Sequence, residues 1–439
     1  MSETNRRKFL MNTSLGAAGI AALGVSGTAR AAAAKEKIIF GAIGCGGRGS
    51  FLARSFAAHK DAEVAYVCDP DEARAARAAK VVADIQGKTP KIVTDMRKIF
   101  EDPAVNAVTI GTPDHWHGPA TLLALEAGKH VYVEKPCSHN IREGRLMVQA
   151  ARRKKLVVQT GTQSRSGEHV KQAMQLLREG AIGDVLVSKA WNSQKRGNIG
   201  RRKPGKPPKN FDYELWLGPT PTMPFQSNRH HYTWHWWYAT GTGDMGNDGV
   251  HDLDLARWGL GVETHPSSVA AIGSKYFFDD DQQFPDTQTV VFEYPGDGKV
   301  GSRRQLIFEQ RIWSPYRQEG YENGNAFYGT KGMLLLGKGE GWKLYGPKNK
   351  LIKRMGYVDR ETPHQRNFLD CIRSGARPSA DIEIGHLSAT LCHLGNLACR
   401  VGRMLKFDPA KEQIIGDEEA NALVRREYRE DHWAAPKDA

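Results

Sequence analysis

Between residues 36 and 69 the residue types and their spacing suit one piece of chemistry, the holding of a pyrophosphate and a ribose. An apolar run ending in IIFGAI leads into Gly44-Cys45-Gly46-Gly47-Arg48-Gly49, which fits G-x-G-x-x-G, and then into a helix-compatible stretch. Gly44 permits a tight turn, Gly46 lets backbone amides approach phosphate oxygens, and Gly49 lets the helix pack close to the strand. The helix N-terminus then faces the phosphate charge. A second strand, AEVAYVCDP, ends in Asp69, twenty residues after Gly49, where a ribose-binding carboxylate belongs. Asp71 and Glu72 follow it and would repel a 2′-phosphate, so NAD is favoured over NADP.

These residues need a scaffold, and the sequence supplies one. KIVTD, NAVTIGTPDHWHGPATLLALEAG, HVYVEKP and LVVQTGTQ continue an alternation of short apolar strands with amphipathic helices. Over residues 36–160 that alternation predicts an α/β Rossmann domain, a doubly wound parallel sheet whose ligands sit at the carboxyl ends of its strands. Three groups should therefore meet in one crevice: the glycine turn with Arg48, then Thr112, Pro113 and His117, and finally Glu134 with Lys135.

VEKP, GTGDMGNDGVHDLDLARWGL, NAFYGTKGMLLLG and HQRNFLDCIRSGARPSADIEIGH together make residues 36–410 resemble the glucose-fructose oxidoreductase, inositol dehydrogenase and rhizopine-catabolism (Gfo/Idh/MocA) family. The resemblance implies a second α+β domain over 161–410. It would carry a large open, mainly antiparallel sheet whose outer face builds a homo-dimer or homo-tetramer. It also implies that Lys135 exchanges a proton with a sugar hydroxyl, and that His251 and Asp254 occupy the histidine and last acid of the family's G-G-G-x-x-x-D-x-G-x-H-x-x-D segment. The first acid of that segment falls on Asn247, an amide that cannot relay a proton, which leaves Asp244 or Asp248 as candidate substitutes. Hydride transfer from a carbinol needs removal of the hydroxyl proton, so Lys135 and His251 are the expected catalytic pair.

NRHHYTWHWWYATGTGD crowds Tyr232, Trp234, Trp236, Trp237 and Tyr238 into seven positions, a density suited to stacking on sugar rings. Trp236, Trp237 and Tyr238, with Arg165, Asn247, Asp248 and His251, are the expected substrate contacts. His231 and His235 stand four apart, but the surrounding glycine, threonine and aromatics argue against a regular helix, and no metal is expected.

The formal charge is +13, and much of the excess lies in SQKRGNIGRRKPGKPPKN (193–210), with seven Lys or Arg and no acid. Rich in glycine and proline and without interleaved aromatics, it reads as a solvated insertion loop rather than a nucleic-acid site. The six cysteines show no C-x-x-C pair and read as buried thiols. At the N-terminus Arg6 and Arg7, a weakly apolar run from Leu15 to Val25 and Ala29-Arg30-Ala31 read as a twin-arginine export signal over residues 1–31, too short an apolar run for stable membrane insertion. Residues 411–439 form a charged tail. The reading as a whole is a periplasmic sugar or glycoside oxidoreductase with tightly bound NAD, exported folded. Its alternatives are glycoside cleavage by an oxidation, elimination, addition and reduction cycle, and a sugar- or cofactor-sensing protein without turnover.

Overall fold

The structure is a computed structural model and describes residues 36–437. The export signal expected over residues 1–31 lies outside the described residues.

Six parallel strands form the first sheet in the order β3-β2-β1-β4-β5-β6. They are β1 (Ile38–Ile43), β2 (Ala62–Cys68), β3 (Lys91–Val93), β4 (Ala107–Ile110), β5 (His130–Val133) and β6 (Val158–Thr160). The central strand β4 reads AVTI and is buried along its whole length, as a strand covered by helices on both faces must be. The covering helices include α1 (Gly47–Ala57), α2 (Glu72–Gln86), α3 (Asp114–Glu126) and α4 (Ile141–Lys154). Asp71 and Asn140 start α2 and α4 by accepting the N–H of Arg74 and Glu143 at 3.1 and 3.0 Å, which satisfies donors the helices leave free.

The second sheet is larger, with order β14-β13-β12-β11-β7-β10-β9-β8-β15-β16. Its strands are β7 (Val185–Asn192), β8 (Ser268–Ser274), β9 (Thr287–Tyr294), β10 (Arg304–Arg311), β11 (Asn323–Gly329), β12 (Met333–Gly337), β13 (Gly341–Gly346), β14 (Lys350–Met355), β15 (Leu405–Asp408) and β16 (Gln413–Ile414). Its neighbours pair antiparallel except β7 with β10, so the sheet is mixed but mainly antiparallel. Phe292, Phe308, Phe327, Leu336 and Trp342 point inward, onto Leu253 and Leu260 of helix α5 (Val250–Leu260) and Leu391 and Leu394 of α7 (Ile382–Val401). Truncating one of these phenylalanines to alanine costs on the order of 3–5 kcal/mol. Between those helices in sequence lies α6 (Glu361–Ser374), whose Phe368 and Leu369 complete the core of the first sheet beside Phe40, Phe56 and Tyr132.

Candidate active site

The glycine turn has the geometry its residues imply. Gly44 adopts a φ of +83°, and a Cβ there would lie 2.7 Å from the backbone of Gly111. A Cβ on Gly49 would meet the Gly44 carbonyl oxygen at 1.8 Å, so helix and strand touch where only hydrogen fits. Helix α1 begins without a side-chain cap and without an acid in its first turn, which leaves its N–H groups and positive end free for an anion. Asp69 closes the end of β2, its two oxygens accepting the N–H of Cys45 at 2.7 Å and of Asp71 at 2.9 Å. Burial pushes its pKa up, and those two N–H groups oppose the shift. An uncapped helix end beside a fixed carboxylate fits a dinucleotide.

The other strand ends complete the crevice. His117 sets its ring nitrogens 2.6 Å from the Pro136 carbonyl and 3.0 Å from that of Thr112, bracing two loops against each other. Arg48 reaches Glu134 at 2.6 Å and Glu361 at 3.0 Å. Burial disfavours the Glu134 carboxylate, yet Arg48 and Lys135 hold its pKa below the ordinary value. Gly44, Gly46, Arg48, Asp69, Thr112, Pro113, His117, Glu134 and Lys135 all line one cavity of about 310 Å³, while Gly49 packs beneath it.

At one end of this cavity Lys135 meets the second layer. Its Nζ donates to the Asn247 carbonyl and lies 3.3 Å from Asn247 Oδ1. Asn247 sits in a π-helical turn, Met245–Gly249, that runs into α5, an irregularity that recurs at functional sites. Its amide is locked in turn, because Nδ2 donates to Asp244 at 3.0 Å and Asp244 also accepts from Asn192 at 2.9 Å and Arg196 at 3.0 Å. Asp244 therefore has no free oxygen edge to serve as a proton carrier. Asp248 is also engaged, by Lys338 at 2.7 Å and Asn323 at 2.8 Å. Burial opposes its charge, but Lys338 and His251 hold its pKa far below the ordinary carboxylate range. Asp252, 3.3 Å from the same lysine, is pushed up to about 7 by burial.

His251 lies among these groups with its Nδ1 buried and without a hydrogen-bond partner. Burial, then Lys338 and Lys135, hold its pKa well below the ordinary value, so the ring is neutral near pH 7.

The expected substrate contacts separate into two groups. Asn247 lines the cavity, and Asp248 and His251 belong to the cluster just behind it. Arg165, Trp236, Trp237 and Tyr238 do not line it. Arg165 grips both oxygens of Asp254 at 2.7 and 2.8 Å and stacks on Trp258, tying its turn to α5. Trp236 is buried against Phe278 and Ile312, and Trp237 lies under Arg229. Tyr238 packs on Phe284 and Arg400, in a separate cavity of about 630 Å³. The run passes through a 3-10 turn over Thr233–Trp236, and its earlier members, His231, Tyr232, Trp234 and His235, line the crevice instead. Trp216 and Trp433 also line it, and Arg196 and Lys338 support its floor; none of these four was read as a site residue from sequence. The aromatic run therefore reaches the crevice through residues other than the three expected from sequence, because aromatic density alone does not say which rings face inward. His231 and His235 diverge, one to Asp71 at 2.9 Å and the other to the Tyr232 carbonyl at 2.5 Å.

Comparison with known proteins follows the same division. A model of an oxidoreductase family with an NAD-binding Rossmann fold, GFO_IDH_MocA, matches residues 38–162. A model of that family's C-terminal alpha/beta domain matches 168–295 and 338–434. The chain is 23% identical over 390 residues to a myo-inositol 2-dehydrogenase of Thermotoga maritima, covering 86% of this chain and 99% of that one. A levoglucosan dehydrogenase solved in complex with NADH and levoglucosan superposes with a TM-score of 0.64 at 18% identity, over 84% of this chain and 99% of its own. An aldose-aldose oxidoreductase from Caulobacter crescentus superposes with a TM-score of 0.63 at 19% identity, over 85% of this chain and 100% of its own.

Proposed function

The chain belongs to the Gfo/Idh/MocA oxidoreductase family, and from that premise we propose that it moves a hydride between a resident NAD and a hydroxyl-bearing carbon of a sugar or glycoside. The observation that carries this reading is Lys135, fixed by both oxygens of Asn247 at the point where the dinucleotide crevice meets a buried polar cluster. NAD, when bound, supplies the hydride acceptor. Lys135 exchanges the proton of the reacting hydroxyl, as a positioned group within hydrogen-bond reach does. Asn247 orients that lysine without titrating. Neutral His251 offers a hydrogen bond rather than a charge. Tyr232 and Trp234 give the sugar ring apolar faces on which to rest.

The same proposal includes location and cofactor traffic. A twin-arginine leader carries folded cargo, and a protein that leaves the cytoplasm with NAD inside needs no external pool, provided the hydride returns to a second substrate or to the same one. The exposed Ile272 and Tyr328 on β8 and β11 support assembly into a homo-oligomer through the second sheet.

The deciding experiment purifies the mature protein without added cofactor, identifies the nucleotide released on denaturation, and incubates the native sample with free sugars and glycosides. Released NAD with turnover in the absence of added cofactor is expected. An empty site, or turnover only with added NAD, refutes the closed cycle. Cleaved glycosides among the products place the net reaction with hydrolysis, and ligand binding without turnover places the protein among sensors.

A further inference from the structure

The crevice is bordered by two segments that the first sheet does not supply, and they are tied to that sheet and to each other. The insertion after β7 runs alongside the end of β2: Glu72 N–H donates to the Asn210 carbonyl at 3.2 Å, and Asp212 N–H donates to the Pro70 carbonyl at 2.9 Å, with Phe211 bridged to Asp71. Further along, the Trp216 carbonyl lies 2.8 Å from His115 Nε2 and accepts from Trp116 Nε1 at 2.9 Å. His231 returns to Asp71 at 2.9 Å.

The C-terminal segment fastens this insertion from outside. Arg429 donates its N–H to the Pro219 carbonyl at 2.7 Å and pairs with Glu214 at 2.6 Å. Arg426 joins the buried Glu143, Thr220 and the His115 carbonyl. Trp433 then packs against Trp116, under the guanidinium of Arg97 at 4.5 Å, and lines the crevice beside Thr94 and Met96. Those two residues follow β3, an edge strand of the sheet, with β2, β1 and β4 between it and β5, the strand that leads to Lys135. With a pyrophosphate on the glycine turn and a ribose on Asp69, this is the side left for the nucleoside base.

We propose that residues 210–220, anchored by His231, and residues 424–434 form a clasp over the adenosine half of the dinucleotide, with Trp433 as the aromatic contact for the base, so that the cofactor stays in place through turnover. The inference rests on reading the crevice as a dinucleotide site, and it names the residues that retain the occupant. Release of the adenosine half requires several backbone hydrogen bonds and two arginine ion pairs to open together, which makes exchange a local unfolding event rather than simple diffusion.

The test uses the holoprotein. It is mixed with excess isotopically labelled NAD, and the labelled fraction retained after gel filtration is followed in time by mass spectrometry. The intact chain is expected to exchange over hours. Trp433→Ala and Arg429→Ala should exchange at least tenfold faster while still binding NAD. Trp433→Phe and Arg97→Gln serve where an alanine variant does not fold; Arg97→Gln should exchange faster and Trp433→Phe should stay near the intact chain. Exchange of the intact protein within seconds, or Trp433→Ala, Arg429→Ala and Arg97→Gln variants that exchange at its rate, would overturn the clasp and leave the dinucleotide site standing. A protein that binds no NAD overturns both.

Discussion

The two ends of the crevice are built from different parts of the amino acid. At the dinucleotide end the work falls to the backbone: amides at the start of α1, glycines that admit no Cβ, and one carboxylate held by two N–H groups. At the substrate end it falls to long side chains that hold one another, from Lys135 through Asn247 and Asp244 to Arg196, and from Asp248 to Lys338. A backbone site is local and leaves its spacing in the sequence. A side-chain network also draws on residues far apart in the chain, here Arg196 and Lys338, and those leave none.

If that contrast is right, damage at each end has its own signature. Lys135→Met should produce the largest effect, a fall in kcat of about 10²–10⁴, the range for loss of a positioned proton carrier. NAD content, measured by release on denaturation, should be unchanged. A fall in bound NAD equal to the fall in turnover would merge the two ends.

Gly49→Ala should do the reverse. The new Cβ would lie 1.8 Å from a backbone carbonyl that no side-chain rotation can relieve. Nucleotide affinity should fall on the order of 100-fold, which is about 2.7 kcal/mol, read by titration of the apo-protein, together with a lower Tm.

Asn247→Asp tests the network from inside and should cost about tenfold in kcat. A carboxylate at 247 would stand where the amide nitrogen now donates to Asp244 at 3.0 Å. Two carboxyl groups that close cannot both ionise without penalty, so one retains its proton and the rate acquires a new pH limb. An unchanged rate and pH profile would show that Asn247 is not the orienting partner of Lys135.

The same contrast explains what could be read without a structure. The glycine turn, Asp69 and the parallel, doubly wound character of the first sheet follow from local spacing and strand periodicity, which also put Lys135 at a strand end; its role follows from the family resemblance. The second sheet follows from its family resemblance and alternating stretches such as TQTVVFEY. Lys338 sits in an ordinary hairpin sequence, GKGEG, and Arg196 in a run of cations that reads as solvated; only the fold brings them to Asp248 and Asp244. Arg165 is the opposite case, a polar residue near the strand ends whose charge is consumed by Asp254. Trp433 lies in the charged tail, far in sequence from the Trp116 ring and the Arg97 guanidinium it packs against.

The smallest predicted effect lies where the two ends meet. Asp114 opens α3, lines the crevice and accepts a hydrogen bond from Thr242 Oγ1 at 2.6 Å. Burial pushes its pKa up to about 7, against the opposing pull of that bond and of Lys135. Its folded value is raised, so the folded chain binds the proton more tightly. The associated stabilisation is complete below about pH 4, the unfolded value, and is lost as pH rises to about 7. The Tm of the intact protein minus that of Asp114→Asn should therefore be more positive at pH 5 than at pH 8. In turnover, ionisation of Asp114 adds a negative charge to the crevice beside the reacting hydroxyl, so sugar oxidation should show a few-fold inflection near pH 7 that the asparagine variant lacks. A Tm difference independent of pH would mean that Asp114 stays ionised in the fold, and the inflection near pH 7 would then belong to Asp252.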